Sequence, residues 1–307
     1  RSRSFSAQES LAPVAAPVAA PVFAAPIEPV DVLAAQTSES IVLWCNASGT
    51  NLPEVWSYDV AGVAIQVKVL TYNLFWFGLH GSKGRSAVIH NSGMPPYDLM
   101  GFQECEDAAW ILGVAGLAGQ YTILANTHHG ISMAIRSVRW DILARGQVEV
   151  AEDSHLQYYG NRSVAWARLR DRASSRTLFF MNHHGPTPVG SGGRCGGAAT
   201  AHNVLQVMAE NADRRDAVIL VGDFNADPIS ETMKSLTKRL YPSFAFTPHG
   251  DVDQIFSNLG PSSVVSTTVL PQGGSDHHAL QAVLKVSASG PYTGRPPPRQ
   301  PIFVGVR

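Results

Sequence analysis

The chain has 307 residues, 45% of them apolar and 15% charged, so material for a buried core is ample. With 23 Lys and Arg against 24 Asp and Glu the net charge is −1. That balance excludes nucleic-acid binding through a broad basic face and leaves a local patch or a bound metal to meet a polyanion. No run approaches the roughly 18–20 uninterrupted apolar residues of a membrane-spanning helix.

Residues 1–40 are dominated by Ala, Pro, Val and Ser, with the near-repeat APVAAPVAAPVFAAP at 12–26. Proline at that density removes backbone donors and blocks helix, so the segment is read as an extended tail or linker. The three cysteines, Cys45, Cys105 and Cys195, match no zinc spacing. Buried or unpaired thiols are the plain reading, and a Cys45–Cys195 pair is open to a secreted protein. Two sequons, at Asn46 and Asn161, would permit glycosylation in the same compartment, so secretion is the favoured location.

Residues 41–287 are expected to form one globular catalytic region. Short runs rich in β-branched and aromatic residues predict strands at 66–75, 97–103, 121–124, 132–136, 163–169, 177–182, 217–221, 253–256 and 279–286. The spacing of Val204, Leu205 and Met208 predicts a helix over 200–212, and two more are expected over 84–91 and 107–118. Many strands with a few helices indicate an α+β domain, two sheets packed face to face with helices outside. Residues 288–307, rich in Pro and Gly, are read as a second tail.

Most of these strands finish in a polar residue able to hold a metal or a phosphate. The ends are Asn73, Glu104, Asn182-His183-His184, Asp223-Phe224-Asn225, and Asp276-His277-His278 just before the last strand. Each alone reads equally well as a turn former. Together they point to an active site along one edge of the sandwich. A negatively charged phosphate ester repels an attacking hydroxide, and a divalent cation relieves that repulsion. Magnesium prefers oxygen ligands, so Glu104 and Asp276 are the natural candidates, with Asn73 and Asp223 near them. A histidine can accept a proton near neutrality, and Asp253, inside the apolar run Val252-Asp253-Gln254-Ile255-Phe256, suits the carboxylate that would orient it.

In order, YNLFWFG from Tyr72, GFQECED from Gly101, FMNHHGP from Phe180, VGDFNADP from Val221, VDQIF from Val252 and SDHHAL from Ser275 resemble the motifs of the endonuclease/exonuclease/phosphatase (deoxyribonuclease-like) family. The resemblance implies a four-layer α/β-β/α sandwich of two packed mixed sheets with outer helices. It also implies a metal-dependent phosphoric ester hydrolase that uses Mg²⁺, with Mn²⁺ as the alternative. Glu104 would be the principal metal ligand, with Asn73 and Asp276 completing the metal neighbourhood. Asp223 would position or deprotonate the water, Asn225 would hold a phosphate oxygen, and His277 would act with Asp253 behind it. The Asn-x-His pattern makes His184 the second histidine and leaves His183 and His278 as neighbours. Arg162 and Arg194 are read as substrate contacts.

Two departures bear on substrate. Asn73 is followed by Leu74-Phe75, unlike the abasic-site branch of the family. Glu106 stands where pancreatic-type nucleases usually carry a basic residue that holds DNA phosphate. The expected activity is hydrolysis of a phosphodiester, with nuclease activity drawn from the breadth of the family. The alternatives are a phosphomonoesterase, a lipid-headgroup phosphodiesterase and a catalytically inactive binding relative. The Gly-rich loop 185–197 is read as a mobile surface loop, and Trp76 and Phe77 as core. No stable protein partner is read, and a monomer is expected.

Overall fold

Strand β1 (Ile65–Asn73) is buried along nearly its whole length, because its two faces serve two different cores. Val67 and Val69 point between the sheets, while Leu70 and Tyr72 point outward beneath helices. In the computed structural model the described residues are Cys45, 51–81, 83–126 and 130–287. Both expected tails and the Asn46 sequon lie outside them.

After β1 come helix α1 (Gly84–Ser92), β2 (Leu99–Gln103), α2 (Ala108–Val114), β3 (Tyr121–Asn126) and β4 (Ile131–Arg136). Then follow β5 (Trp140–Glu152), β6 (Asn161–Asp171), β7 (Thr177–His184), α3 (Gly197–Asn211), β8 (Ala217–Asp223) and α4 (Glu231–Thr237). Last among the described residues come β9 (Tyr241–Pro242), β10 (Asp253–Ser257), β11 (Val264–Val269) and β12 (Leu280–Val286). The strands form two six-stranded sheets, ordered β11-β12-β1-β2-β4-β3 and β5-β6-β7-β8-β10-β9. Each holds one parallel pair, β1 with β2 and β7 with β8, in an otherwise antiparallel sheet.

Between the sheets Val67, Val69, Leu99 and Met133 pack against Phe180, Ile219, Val221 and Ile255. On the outer face of the first sheet Val88, Ile89, Ile111 and Leu112, from α1 and α2, cover Leu70, Met100 and Phe102. On the outer face of the second, Val204, Leu205 and Met208 of α3 and Met233 of α4 cover Phe179, Met181, Val218 and Leu220. The result is the expected four-layer α/β-β/α sandwich of mixed sheets.

Four elements escaped the sequence reading, the two-residue β9 among them. Strand β5 spans 13 residues but carries register breaks between Ile142 and Ala144 and between Glu149 and Ala151. Bulges destroy the period of two on which a strand is recognised. Strand β11 lies at a sheet edge with most of its side chains exposed, and α4 has only 7 residues, capped by Ser230 accepting from the Met233 amide. Helix α2 stops at Val114, short of 118. Gly116 adopts φ 75° there, and the Leu117 amide turns back to the Leu112 carbonyl at 2.8 Å.

A buried polar bridge joins the sheets beneath the site. Asn182 of β7 donates to the carbonyls of Phe102 (2.8 Å) and Ser132 (3.0 Å) in the first sheet. It accepts from Gln103 Nε2 at 2.6 Å. Gly101 makes the approach possible: a Cβ there would lie 2.4 Å from Val221 Cγ2 and 3.1 Å from the Asn182 side chain. Asn182 is therefore structural.

Candidate active site

The doubled histidine at the end of β7 is resolved by strand alternation. Asn182 points between the sheets, so His183 points outward, where its ring sits 5.7 Å from that of Phe224 and its Nδ1 meets the Ser163 carbonyl at 2.9 Å. His184 returns to the inner side and reaches the cluster at the ends of β1, β2 and β8. His278 is bonded through Nδ1 to the Leu270 carbonyl at 2.8 Å.

Asp223 Oδ2 is the point on which the site converges. It accepts from Asn73 Nδ2 at 2.9 Å and lies 3.6 Å from His184 Nε2 and 3.7 Å from His277 Nε2. Asn73 Nδ2 also donates to Glu104 Oε1 at 3.1 Å, and Glu104 Oε1 is 3.9 Å from His184 Nε2. His277 Nδ1 is 2.7 Å from Asp253 Oδ2, the shortest contact in the group. Ser275 aligns this last pair, donating to the Asn73 carbonyl at 2.7 Å while accepting from the His277 amide at 3.0 Å. The structure thus brings Asn73, Glu104, His184, Asp223, Asp253 and His277 together.

Backbone strain concentrates here. Among the described residues the non-glycine positions with positive φ are Phe75, Glu104, Ser175, Asn225, His249 and Asp251. All but Ser175 lie in the loops that carry the site. A residue held in the left-handed region costs of order 1–3 kcal/mol and persists where the surroundings impose it.

Burial and charge divide the ionisable groups. Burial pushes His184 down to about 3, with repulsion from Arg162 adding to it, so the ring is neutral at physiological pH. Burial likewise pushes His183 down to about 4. His277 goes the other way. Burial opposes its charge, but the hydrogen bond and attraction of Asp253, with Asp223 and Asp276 beyond, raise it to about 9. Burial pushes Asp253 up to about 7 against the pull of His277. Asp223 would be raised by burial too, yet it is held below the ordinary carboxylate value. With His184 neutral, His277 and the amide donors of Asn225 and Asn73 are the groups that keep it ionised.

Other expected residues take different places. Arg162 grips Asp153 in a two-pronged pair, Nε to Oδ1 at 2.7 Å and Nη2 to Oδ2 at 3.0 Å, and places Nη1 3.2 Å from His184 Nδ1. Its fork is turned to Asp153 and its remaining nitrogen to His184, not outward as a substrate contact. Arg194 is paired with Glu152 at 3.0 Å. Asn225 donates through Nδ2 to the Gly185 carbonyl at 3.0 Å and through its backbone to Asp223 Oδ1 at 2.9 Å. Asp276 is exposed beside the cluster, its Oδ1 3.4 Å from Ser275 Oγ.

Two structural expectations are corrected. Loop 185–197 is pinned: the Thr187 amide donates to Asp153, Gly190 to the Asn225 carbonyl and Arg194 to the Glu152 carbonyl, and Cys195 is disulfide-bonded to Cys45. Trp76 and Phe77 are 61% and 66% exposed. Phe75, at φ 52°, swings the chain outward there, and the Trp76 amide donates to Glu104 Oε2 at 3.2 Å. Asn161, the second sequon, is half-buried in β6 and bonded to Glu149 at 3.0 Å.

Asp223, Asp253 and His277 offer ligand atoms within 4.8 Å of one another. The 2.7 Å contact between Asp253 Oδ2 and His277 Nδ1 is a hydrogen bond, and an ion held by both atoms would have to displace the proton they share. Glu104 is a better fit, because its carboxylate is 23% exposed and, among the described residues, no Lys or Arg pairs with it or with Asp276. Oxygen donors of this kind suit a hard divalent cation.

The sequence profile of the Endonuclease/Exonuclease/phosphatase family matches residues 70–277. No curated protein matches the chain. Among solved structures, a family protein from Bacteroides thetaiotaomicron is similar at 16% identity and TM-score 0.58, over 73% of this chain and 96% of that one. A mannosyl-6-phosphatase from the same organism is similar at 19% identity and TM-score 0.54, over 72% and 99%. The human Nocturnin catalytic domain with bound sulfate follows at 16% identity and TM-score 0.53, over 72% and 95%. At these identities the likeness is one of fold.

Proposed function

The chain belongs to the Endonuclease/Exonuclease/phosphatase family, and from that premise we propose that it hydrolyses phosphodiester bonds by in-line attack of water, with a divalent cation at the site. The observation that carries this reading is the convergence of His184 Nε2, His277 Nε2 and Asn73 Nδ2 on Asp223 Oδ2, beside the Glu104 carboxylate. Glu104, Asn73 and Asp276 would hold Mg²⁺ or Mn²⁺, which supplies charge neutralisation to the phosphate.

The protein's own groups do the remaining work. Asp223 and His277, 3.7 Å apart, flank a place for one water. Asp223, the ionised group, orients it and takes its proton, while His277, kept charged by Asp253, lies beside it as a cation and proton donor to the developing phosphate charge. His184, neutral and protonated on Nε2, donates to a phosphate oxygen as negative charge builds there. Asn225 keeps one amide hydrogen beyond its bond to Gly185 and can serve another phosphate oxygen.

A compact diester fits better than a long polynucleotide. Glu106 is exposed two residues past Glu104, and both arginines expected to meet substrate are bonded to carboxylates. The Cys45–Cys195 bond supports an oxidising compartment, and with it secretion.

The test is hydrolysis of bis(p-nitrophenyl) phosphate with Mg²⁺ or Mn²⁺ by wild type, Glu104→Ala and His277→Ala, run beside plasmid DNA, RNA, sphingomyelin and mannose 6-phosphate. Metal-dependent turnover of a diester, lost in both variants, is expected. Release of inorganic phosphate from the monoester without diester turnover would replace this reading with a phosphomonoesterase.

A further inference from the structure

His249 belongs to none of the motifs, yet its ring lies against that of His277. It sits in the turn His249–Asp251, where three consecutive residues have positive φ, at 61°, 69° and 62°. The turn is fastened to the strand behind it, since the Thr247 amide donates to Asp251 and the Thr247 hydroxyl to the Asp253 carbonyl. In that position the His249 ring lies over the His277 ring, with centroids 3.9 Å apart and planes at 37°. Other ring pairs among the described residues lie 4.7 to 6.3 Å apart. His249 is nevertheless exposed, so general core packing does not hold its ring there.

We propose that His249 is a positioning residue for hydrolysis, its ring packed at a tilt against the His277 ring so that the imidazole stays in the plane joining Asp253 Oδ2 to Asp223 Oδ2. Hydrogen bonds fix His277 along its Nδ1 edge and at its backbone amide. Neither bond resists tilting of the ring out of its plane. A ring packed against it does, and it also covers a face of the Asp253–His277 bond that would otherwise meet water. The strain in the turn is consistent with this, because a relaxed turn would be free to carry the side chain elsewhere. The proposal rests on the hydrolase reading of His277.

The experiment uses the full chain with His249→Asn, His249→Tyr and His249→Phe. Asparagine tolerates the left-handed backbone but has no ring, so it separates the ring contact from the strain of the turn. Two quantities are read: kcat and KM on bis(p-nitrophenyl) phosphate, and the His277 ring-proton chemical shifts, which carry the ring current of a packed neighbour. In His249→Asn, kcat is expected to fall roughly three- to tenfold with KM within about twofold, and the ring-current shift to vanish. Any aromatic variant that retains the ring-current shift should recover kcat. Wild-type kcat in His249→Asn overturns the proposal, as does a loss confined to KM or an aromatic variant that packs there yet stays slow. Absence of turnover in the wild type sinks the hydrolase reading and this proposal with it, whereas normal turnover in His249→Asn sinks this proposal alone.

Discussion

Arg162 Nη1 stands 3.2 Å from His184 Nδ1, and because a guanidinium can only donate, Nδ1 must accept and the ring proton must sit on Nε2. That proton faces Asp223 and Glu104, where substrate phosphate would enter. Arg162 is held in turn by Asp153, whose carboxylate is fully buried and also accepts from the Tyr159 and Thr187 amides. The chain Asp153–Arg162–His184 therefore selects the tautomer of the second histidine, much as Asp253 orients the first.

Replacing Arg162 separates this role from simple charge. Arg162→Lys keeps a cation but loses the fork, so kcat/KM is expected to fall roughly ten- to hundredfold, the usual cost of losing an orienting partner of a site histidine. Arg162→Ala should lose a similar factor and also destabilise the fold by about 3–5 kcal/mol, because Asp153 is left buried and unpaired. Steady-state kinetics and denaturant unfolding of both variants check this. Wild-type kinetics in Arg162→Lys would count against the relay.

The buried groups also set the pH dependence of stability in the cation-free protein. Asp253 and His277 are raised to about 7 and about 9, so the folded chain binds more protons than the unfolded one in those ranges. Their contribution is present below the unfolded values of about 3.9 and 6.5 and is lost as pH rises through the folded values. His183 and His184 are lowered to about 4 and about 3, so the folded chain binds fewer protons between there and about 6.5. Within the site, two histidines outweigh Asp253 on the acid side, and above about 7 His277 is the group that still titrates. Unfolding free energy measured in EDTA should peak near neutrality and decline towards pH 9. A curve still rising at pH 9 would contradict the assignment of His277.

Most of the site was legible because it lies where strands end, and a strand end is visible in sequence as an apolar run meeting a polar residue. Asn73, Glu104 and Asp223 are legible that way, Asp253 as a charge inside an apolar run, and His184 is separated from His183 by the Asn-x-His pattern of the family resemblance, which strand alternation obeys. Asp153 was not found because it follows β5, whose two bulges erase the alternation. His249 was missed because a turn with positive φ places it, and Pro-His-Gly-Asp reads as an ordinary surface turn. Trp76 and Phe77 were misplaced in the core because apolar character is local, whereas their exposure follows from the turn at Phe75.

Thiol counting tests the disulfide and the core together. Burial pushes the Cys105 thiol up to about 12, so it stays protonated and enclosed at pH 8. With Cys45 and Cys195 bonded to each other, a chromogenic disulfide reagent should find no reactive thiol in the native protein. Unfolding in guanidinium without reductant should expose Cys105 alone, and reduction before unfolding should expose all three cysteines. Three reactive thiols in the unreduced, unfolded chain would remove the disulfide.

The location of the cation can be decided between two neighbouring groups of residues. If it binds at Glu104, Glu104→Gln, which preserves shape and can still accept from the Trp76 amide, should weaken Mg²⁺ or Mn²⁺ affinity at least tenfold in calorimetric titration. His277→Ala should then bind the ion about as well as wild type while losing turnover. If the ion instead sits among Asp223, Asp253 and His277, the pattern reverses, with His277→Ala losing the ion and Glu104→Gln keeping it. The first pattern is expected on two grounds. Asp253 is already bonded to His277 at 2.7 Å within a carboxylate environment 2% exposed, so an ion would have to break that bond and enter a closed space. Glu104 faces solvent at the mouth of the site, held in place by the Asn73 amide and the Trp76 backbone, with its negative charge unmatched by any Lys or Arg among the described residues.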